Sequence, residues 1–429
     1  MQQQESRARR RRTSVVGRYF GAAVAFLFAG SAGLAWIAPD LSQGLFLSPH
    51  VAGVTHAFTL GFLTLTIFGA LGQLMPVALG ARRYSMAVSG AALWLLVPGI
   101  ALFAAGVASN DVRLFAPGVI LLALGVLANI GNVSVALATA PQRGVTWYGV
   151  AGGIGFLGAT LVFGMLLTHN LHTGFLAAAR VRVLAAHVHL ALVGWVLMVI
   201  VGVAHRILPM FLAAPDVPRR LSAPAMALLA AGAPLLAAGV LIGVPALAWT
   251  AAAALFGGVA LFVAQGVRLF RGRAPRPLNV GMHFVRVGLA GMALAAATGP
   301  FVLAAGIARP RLAAAYAVAA LLAGLVPFVV GIMYEIEPVV SWNARFAGRL
   351  NRGALPRVTD LYSRPAAWVQ LTATAIGVAL LLAGIAAASP GVARAGAATY
   401  GGAHAVFAYQ VIRIRWGRPR RAALAEAAT

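Results

Sequence analysis

The chain has 429 residues, of which 61% are hydrophobic and 10% charged, with a formal net charge of +25. A soluble domain carries about 25% charged residues, so a water-dissolved fold is excluded. There is no Cys, which removes disulfides, thiolate haem ligands, iron–sulfur clusters and thiol zinc sites.

Apolar runs recur from one end to the other, each long enough to cross about 30 Å of hydrocarbon. They predict an all-α, polytopic membrane protein with about twelve spans at 15–38, 51–77, 85–107, 113–139, 147–168, 183–212, 222–243, 245–271, 281–307, 312–341, 366–388 and 393–414. The basic first stretch, RARRRRTSVVGRYF, leads into a run that is long for a signal-peptide core, so a retained first span is expected. The basic residues are all Arg and collect in the links between runs. One set of links holds Arg82 and Arg83, Arg143, Arg219 and Arg220, Arg268 to Arg276 and Arg345 to Arg364; the alternate set is Arg-poor. That alternation is the footprint of membrane topology rather than of nucleic-acid binding. It places both termini, 1–14 and 415–429, in the cytoplasm of a bacterium whose inner membrane holds the chain.

Spans 2 and 6 share a signature. His56, Gly61, Gly69 and Pro76 have the same spacings as His189, Gly194, Gly202 and Pro209. Span 10 keeps the second half, with Gly331 seven residues before Pro338, and has Val318 at the His position. The offsets are 189−56=133 and 338−209=129 residues, four spans each. The chain therefore divides into three pseudo-symmetric four-helix units at about 15–139, 147–271 and 281–414, within one integral membrane domain.

An intramembrane His needs a partner or a function. His56 and His189 fall at one depth on repeat-related helices, about 30 Å along the axis from their prolines. Two such imidazoles suit bis-imidazole ligation of a haem iron lying between them, with the nearby glycines making room for a flat macrocycle. The plain alternative is that each ring bonds a neighbouring carbonyl and packs a helix interface. His187, two residues before His189, points about 200° away from it and faces either a second cofactor or the outer water. Near the other ends of these spans, Gln73, Arg206 and Glu335 occupy matched positions. They form a possible polar cluster in which Arg206 and Glu335 pair, either as a structural ion pair or as a proton or quinone contact.

The stretch AAHVHLALVGWVLMVIVGVAHRILP resembles the HVH-containing helix of the haem–copper oxidase superfamily. The nearest branches are the C-family oxygen reductases, the nitric oxide reductases and the shorter NnrS-type proteins. The resemblance implies twelve helices in three arcs. It also implies a b-type haem, one or two per chain, with His56 and His189 holding the low-spin haem and His187 facing a second. Span 7 has none of the His that would complete a copper site, which leaves copper open and argues against an oxygen reductase. The implied role is electron transfer, or binding and reduction of a small gas such as nitric oxide, an oxidoreductase activity in the second case. Its partners would be membrane lipid and a cytochrome c or quinol donor, with no nucleic acid. A secondary transporter or an assembly factor without a redox cofactor is the alternative.

Overall fold

The computed structural model describes residues 2–216, 219–349 and 355–417. The distal part of the C-terminal segment, expected on the cytoplasmic side, lies outside them. The described residues form helices and no strand. Twelve of the helices are long. They are α1 (Gln2–Ser42), α2 (Pro49–Ala78), α3 (Met86–Ser109), α4 (Val112–Ala138), α5 (Val145–Thr173) and α6 (Ala177–Leu212), followed by α7 (Arg219–Ile242), α8 (Pro245–Arg271), α9 (Val280–Ala305), α10 (Pro310–Phe346), α11 (Arg364–Ala386) and α12 (Pro390–Trp416). The first eleven are apolar and long enough to cross a membrane, which makes this a polytopic all-α membrane protein. The twelfth carries Arg394, His404, Gln410, Arg413 and Arg415. Its polar His404 and Gln410 are buried against neighbouring helices rather than presented outward.

Three helices form the centre. Of the most apolar stretch of α2, α6 and α10, 67%, 56% and 78% is buried, against 44% or less for every other span. The three touch one another pairwise. Around them, α3 pairs with α4, α7 with α8, and α11 with α12 as antiparallel hairpins, while α1, α5 and α9 pack along α2, α6 and α10. With lipid outside, there is little hydrophobic drive between such helices, and close packing of small residues does the work. The second glycine of the repeat shows how. A Cβ on Gly69 would lie 2.9 Å from the Cβ of Tyr19 on α1, and one on Gly202 would lie 2.9 Å from the Cα of Gly149 on α5. One on Gly331 would lie 2.9 Å from the backbone N of Val285 on α9. At each crossing only hydrogen fits.

Each central helix also contains a π-helical stretch. These are Ala57–Thr64 in α2, Leu190–Leu197 in α6 and Ala319–Leu325 in α10. They begin one residue after His56, His189 and Val318. Their starts are 190−57=133 and 319−190=129 residues apart, the spacings of the sequence repeat. A π stretch carries i→i+5 bonds and is a recurrent mark of functional sites.

Candidate functional site

The three histidines occupy two different gaps. His56 faces His187, with ring centres 6.4 Å apart and ring planes at 41°. His189 faces Tyr316 of α10, with ring centres 6.1 Å apart and planes at 24°. The expected pairing of His56 with His189 is therefore not formed, and the reason is geometric. His56 and His189 point sideways to the neighbouring central helix rather than toward a common centre, so the two equivalent rings do not meet. Each instead meets the residue two positions earlier in the next unit. The arithmetic follows the chain: His187 is 187−54=133 residues beyond Val54, and Tyr316 is 316−187=129 beyond His187. The third counterparts, Val54 and Val318, are both buried aliphatics. One gap thus holds His and His, the next His and Tyr, and the last the two Val positions.

In the first gap both rings are held from behind. Nδ1 of His56 bonds the carbonyl of Ala52 at 2.7 Å, one turn back on its own helix. Nδ1 of His187 bonds the carbonyl of Thr160 on α5 at 3.2 Å. A carbonyl accepts, so each Nδ1 carries the proton and each Nε2 keeps its lone pair, the tautomer of a metal-ligating imidazole. Gly164 on α5 lets His187 in, since a Cβ there would meet its Cε1 at 3.2 Å. Phe103 of α3 stands edge-on to His56 with ring centres 5.0 Å apart.

Space opens on both sides of this pair. A cavity of about 80 Å³ between α2, α3, α4, α5 and α6 is lined by both rings and by Trp195. A second, of about 280 Å³, is lined by the same two rings together with residues of α1 and α10, and it has Arg180 among its lining residues. Thr160 Oγ1 lies in the wall of the smaller cavity, buried and without a hydrogen-bond partner. Such an atom marks a place for a polar or ligand contact. Below it, Trp195 Nε1 donates to Thr64 Oγ1 at 3.0 Å and ties α6 to α2.

The two Nε2 lone pairs are the atoms that would hold a metal-centred group, and the ring spacing is compatible with one metal between them. A metal–imidazole bond is about 2.0–2.1 Å and the nitrogen lies about 1.15 Å from its ring centre, so two imidazoles across one metal have centres about 6.4 Å apart. The observed separation is 6.4 Å. His189 does not fit in the same way. Its Nδ1 is anchored on the Ala185 carbonyl at 2.8 Å, as His56 is on Ala52, but its Nε2 lies 3.2 Å from the Tyr316 hydroxyl. A metal between that nitrogen and that oxygen needs about 4 Å.

The expected polar cluster does not assemble. Arg206 is exposed and makes no ion pair among the described residues. Glu335 instead accepts from Asn279 Nδ2 at 3.2 Å, because its face of α10 is turned to α9, with Gly281 against its Oε1. Gln73 is partly buried on α2. The carboxylate that does find a cation is Glu337, paired with Arg415 of α12 at 2.5 Å and accepting from Ser341 at 3.2 Å. The sequence reasoning missed this pair, as it missed Thr160 and Tyr316. Of these, Tyr316 alone was within reach, since adding the repeat offset to His187 lands on it. His404 is buried between Ser31 and the Tyr400 carbonyl. Among the described residues no group of three or more His, Cys, Asp or Glu side chains gathers as a metal-binding cluster, so the three-His constellation of a copper site is not formed there. Neither a protein-family model nor a curated protein sequence matches this chain.

Proposed function

We propose that this chain is a haem-binding integral membrane protein whose role is electron transfer, with His56 and His187 as the residues that would hold the iron of one b-type haem. The single observation that carries this is the His56–His187 pair, 6.4 Å apart between ring centres, both Nδ1 atoms bonded to carbonyls. A haem supplies a one-electron couple at its iron. The residues around it do the rest. The Ala52 and Thr160 carbonyls hold the rings in register, aliphatic walls keep water out, and Arg180 offers a cation to an acidic edge group. A haem held by both imidazoles would supply electron transfer rather than gas binding.

The resemblance to the haem–copper oxidase superfamily and the NnrS-type proteins agrees with this, though with a different pair of imidazoles from the expected one. As part of this reading the chain sits in a bacterial inner membrane with both termini cytoplasmic, an orientation that the Arg-rich links support. That puts the His pair in the half of the bilayer facing away from the cytoplasm, where a cytochrome c or a membrane quinol can serve as donor. The test is a haem and iron count on the detergent-purified protein. About one haem b per chain is expected. A colourless preparation with no iron overturns the proposal and turns attention to transport or scaffolding.

A further inference from the structure

The largest cavity of the three lies in the other gap. It has a volume of about 390 Å³, is bounded by α6, α7, α8, α9 and α10, and has His189 and Tyr316 in its wall. That is within the range of about 300–1,000 Å³ that small-molecule sites occupy. Nearly all of its lining is aliphatic or aromatic, with Arg182 as its one charged group, and the Arg182 guanidinium is engaged with the Leu241 carbonyl at 3.2 Å. The remaining polar feature is the hydroxyl–imidazole pair, 3.2 Å apart.

His189 Nδ1 donates to Ala185, so its Nε2 accepts, and the Tyr316 hydroxyl is its donor. The phenol oxygen keeps lone pairs for a second partner. A neutral pair in a greasy cavity, with acceptor capacity left on the phenol oxygen, selects a neutral, lipid-soluble molecule with a hydroxyl that donates. The cavity also shares Leu184, Val188, Leu192 and Ala317 with the void beside the His56–His187 pair. One layer of side chains therefore separates an occupant from that pair.

We infer that this cavity is a binding site for a membrane quinol, whose ring hydroxyl donates to the Tyr316 oxygen, itself held by its bond to His189. The choice of a redox-active ring over an inert lipid rests on the haem proposed above, one side-chain layer away. The cavity, the neutral pair and the unsuitability of His189 for a metal stand without it.

Binding of decyl-ubiquinol, kept reduced, to the purified full-length protein, followed by isothermal calorimetry, tests this. We expect saturable binding, one molecule per chain. Tyr316→Phe and His189→Phe each weaken it about tenfold, the worth of one buried neutral hydrogen bond, and Ala296→Trp, which fills the cavity, abolishes it. Tyr316→Phe keeps the ring and its packing, so a folding failure in one variant leaves the others to decide. Three results overturn the inference: no saturable binding to the wild type, binding that none of the three variants alters, or a second haem per chain that disappears in His189→Phe. Haem content is measured on the same preparation. Quinol binding to a haem-free protein would sink the electron-transfer proposal alone, and a haem-loaded protein that ignores quinol would sink this inference alone.

Discussion

Removing Arg415 should destabilise the protein more than removing its partner, and removing both should restore most of the loss. Glu337 is 1% exposed and Arg415 14% exposed, with the Nε–Oε1 contact at 2.5 Å. Two unit charges about 4 Å apart at an effective dielectric of about 20 attract by about 4 kcal/mol, and that attraction offsets the cost of taking both ions out of water. In Arg415→Ala a carboxylate remains buried with only Ser341 as a partner. Breaking a buried pair in this way costs about 3–5 kcal/mol. In Glu337→Gln the remaining cation is on a long side chain near the end of α12 and can reach toward the headgroups, so the loss is about 1–2 kcal/mol. In the double variant Glu337→Gln/Arg415→Leu no charge is left buried, and stability returns to within about 1 kcal/mol of wild type. Thermal unfolding in detergent, followed by tryptophan fluorescence, reads this as an order of midpoints: wild type and double variant highest, Glu337→Gln between, Arg415→Ala lowest. A single variant as stable as wild type, or a double variant as poor as Arg415→Ala, would refute the reasoning.

Two further perturbations probe the packing and the polar surface. Gly202→Val drives a side chain into the Gly149 backbone, 2.9 Å from where its Cβ must sit. It should cost about 1–3 kcal/mol or more and lower the folded yield on size-exclusion chromatography, whereas Gly131→Ala, with nothing within 4 Å, should leave it unchanged. Tyr362 lies in the link before α11, and burial first and the nearby Glu335 charge second push its hydroxyl up from 10.0 to about 12. Its folded form holds the proton that the unfolded chain releases near pH 10, so its contribution is intact below that and is lost as pH rises toward 12. Stability should fall over that window in wild type and fall less in Tyr362→Phe, and alkaline unfolding curves that coincide would contradict this.

The membrane architecture was plain from the sequence because hydropathy over twenty residues is a strong signal. The spans met their helices with ends displaced by a few residues, as where a predicted 312–341 became Pro310–Phe346. The π stretches were not visible, since no residue type encodes them, yet they begin at the spacing that His56 and His189 announce. The site was half legible. The sequence singled out His56, His187 and His189 and expected His56 to meet His189, whereas the structure sets His56 against His187 and His189 against Tyr316. The pair expected between Arg206 and Glu335 also failed. Equal position along a helix says nothing about which face looks inward, and Glu335 looks toward Asn279. Thr160 could not be found from sequence, because its role depends on a carbonyl and a hydroxyl exposed by the approach of α5 to α6 at Gly164.

The reduced-minus-oxidised visible spectrum of purified wild type and three single variants tests the central claim most directly. A b-type haem signal should be present in wild type, lost in His56→Ala and in His187→Ala, and kept in His189→Ala. A signal that survives in His187→Ala and vanishes in His189→Ala would contradict the assignment of the ligands.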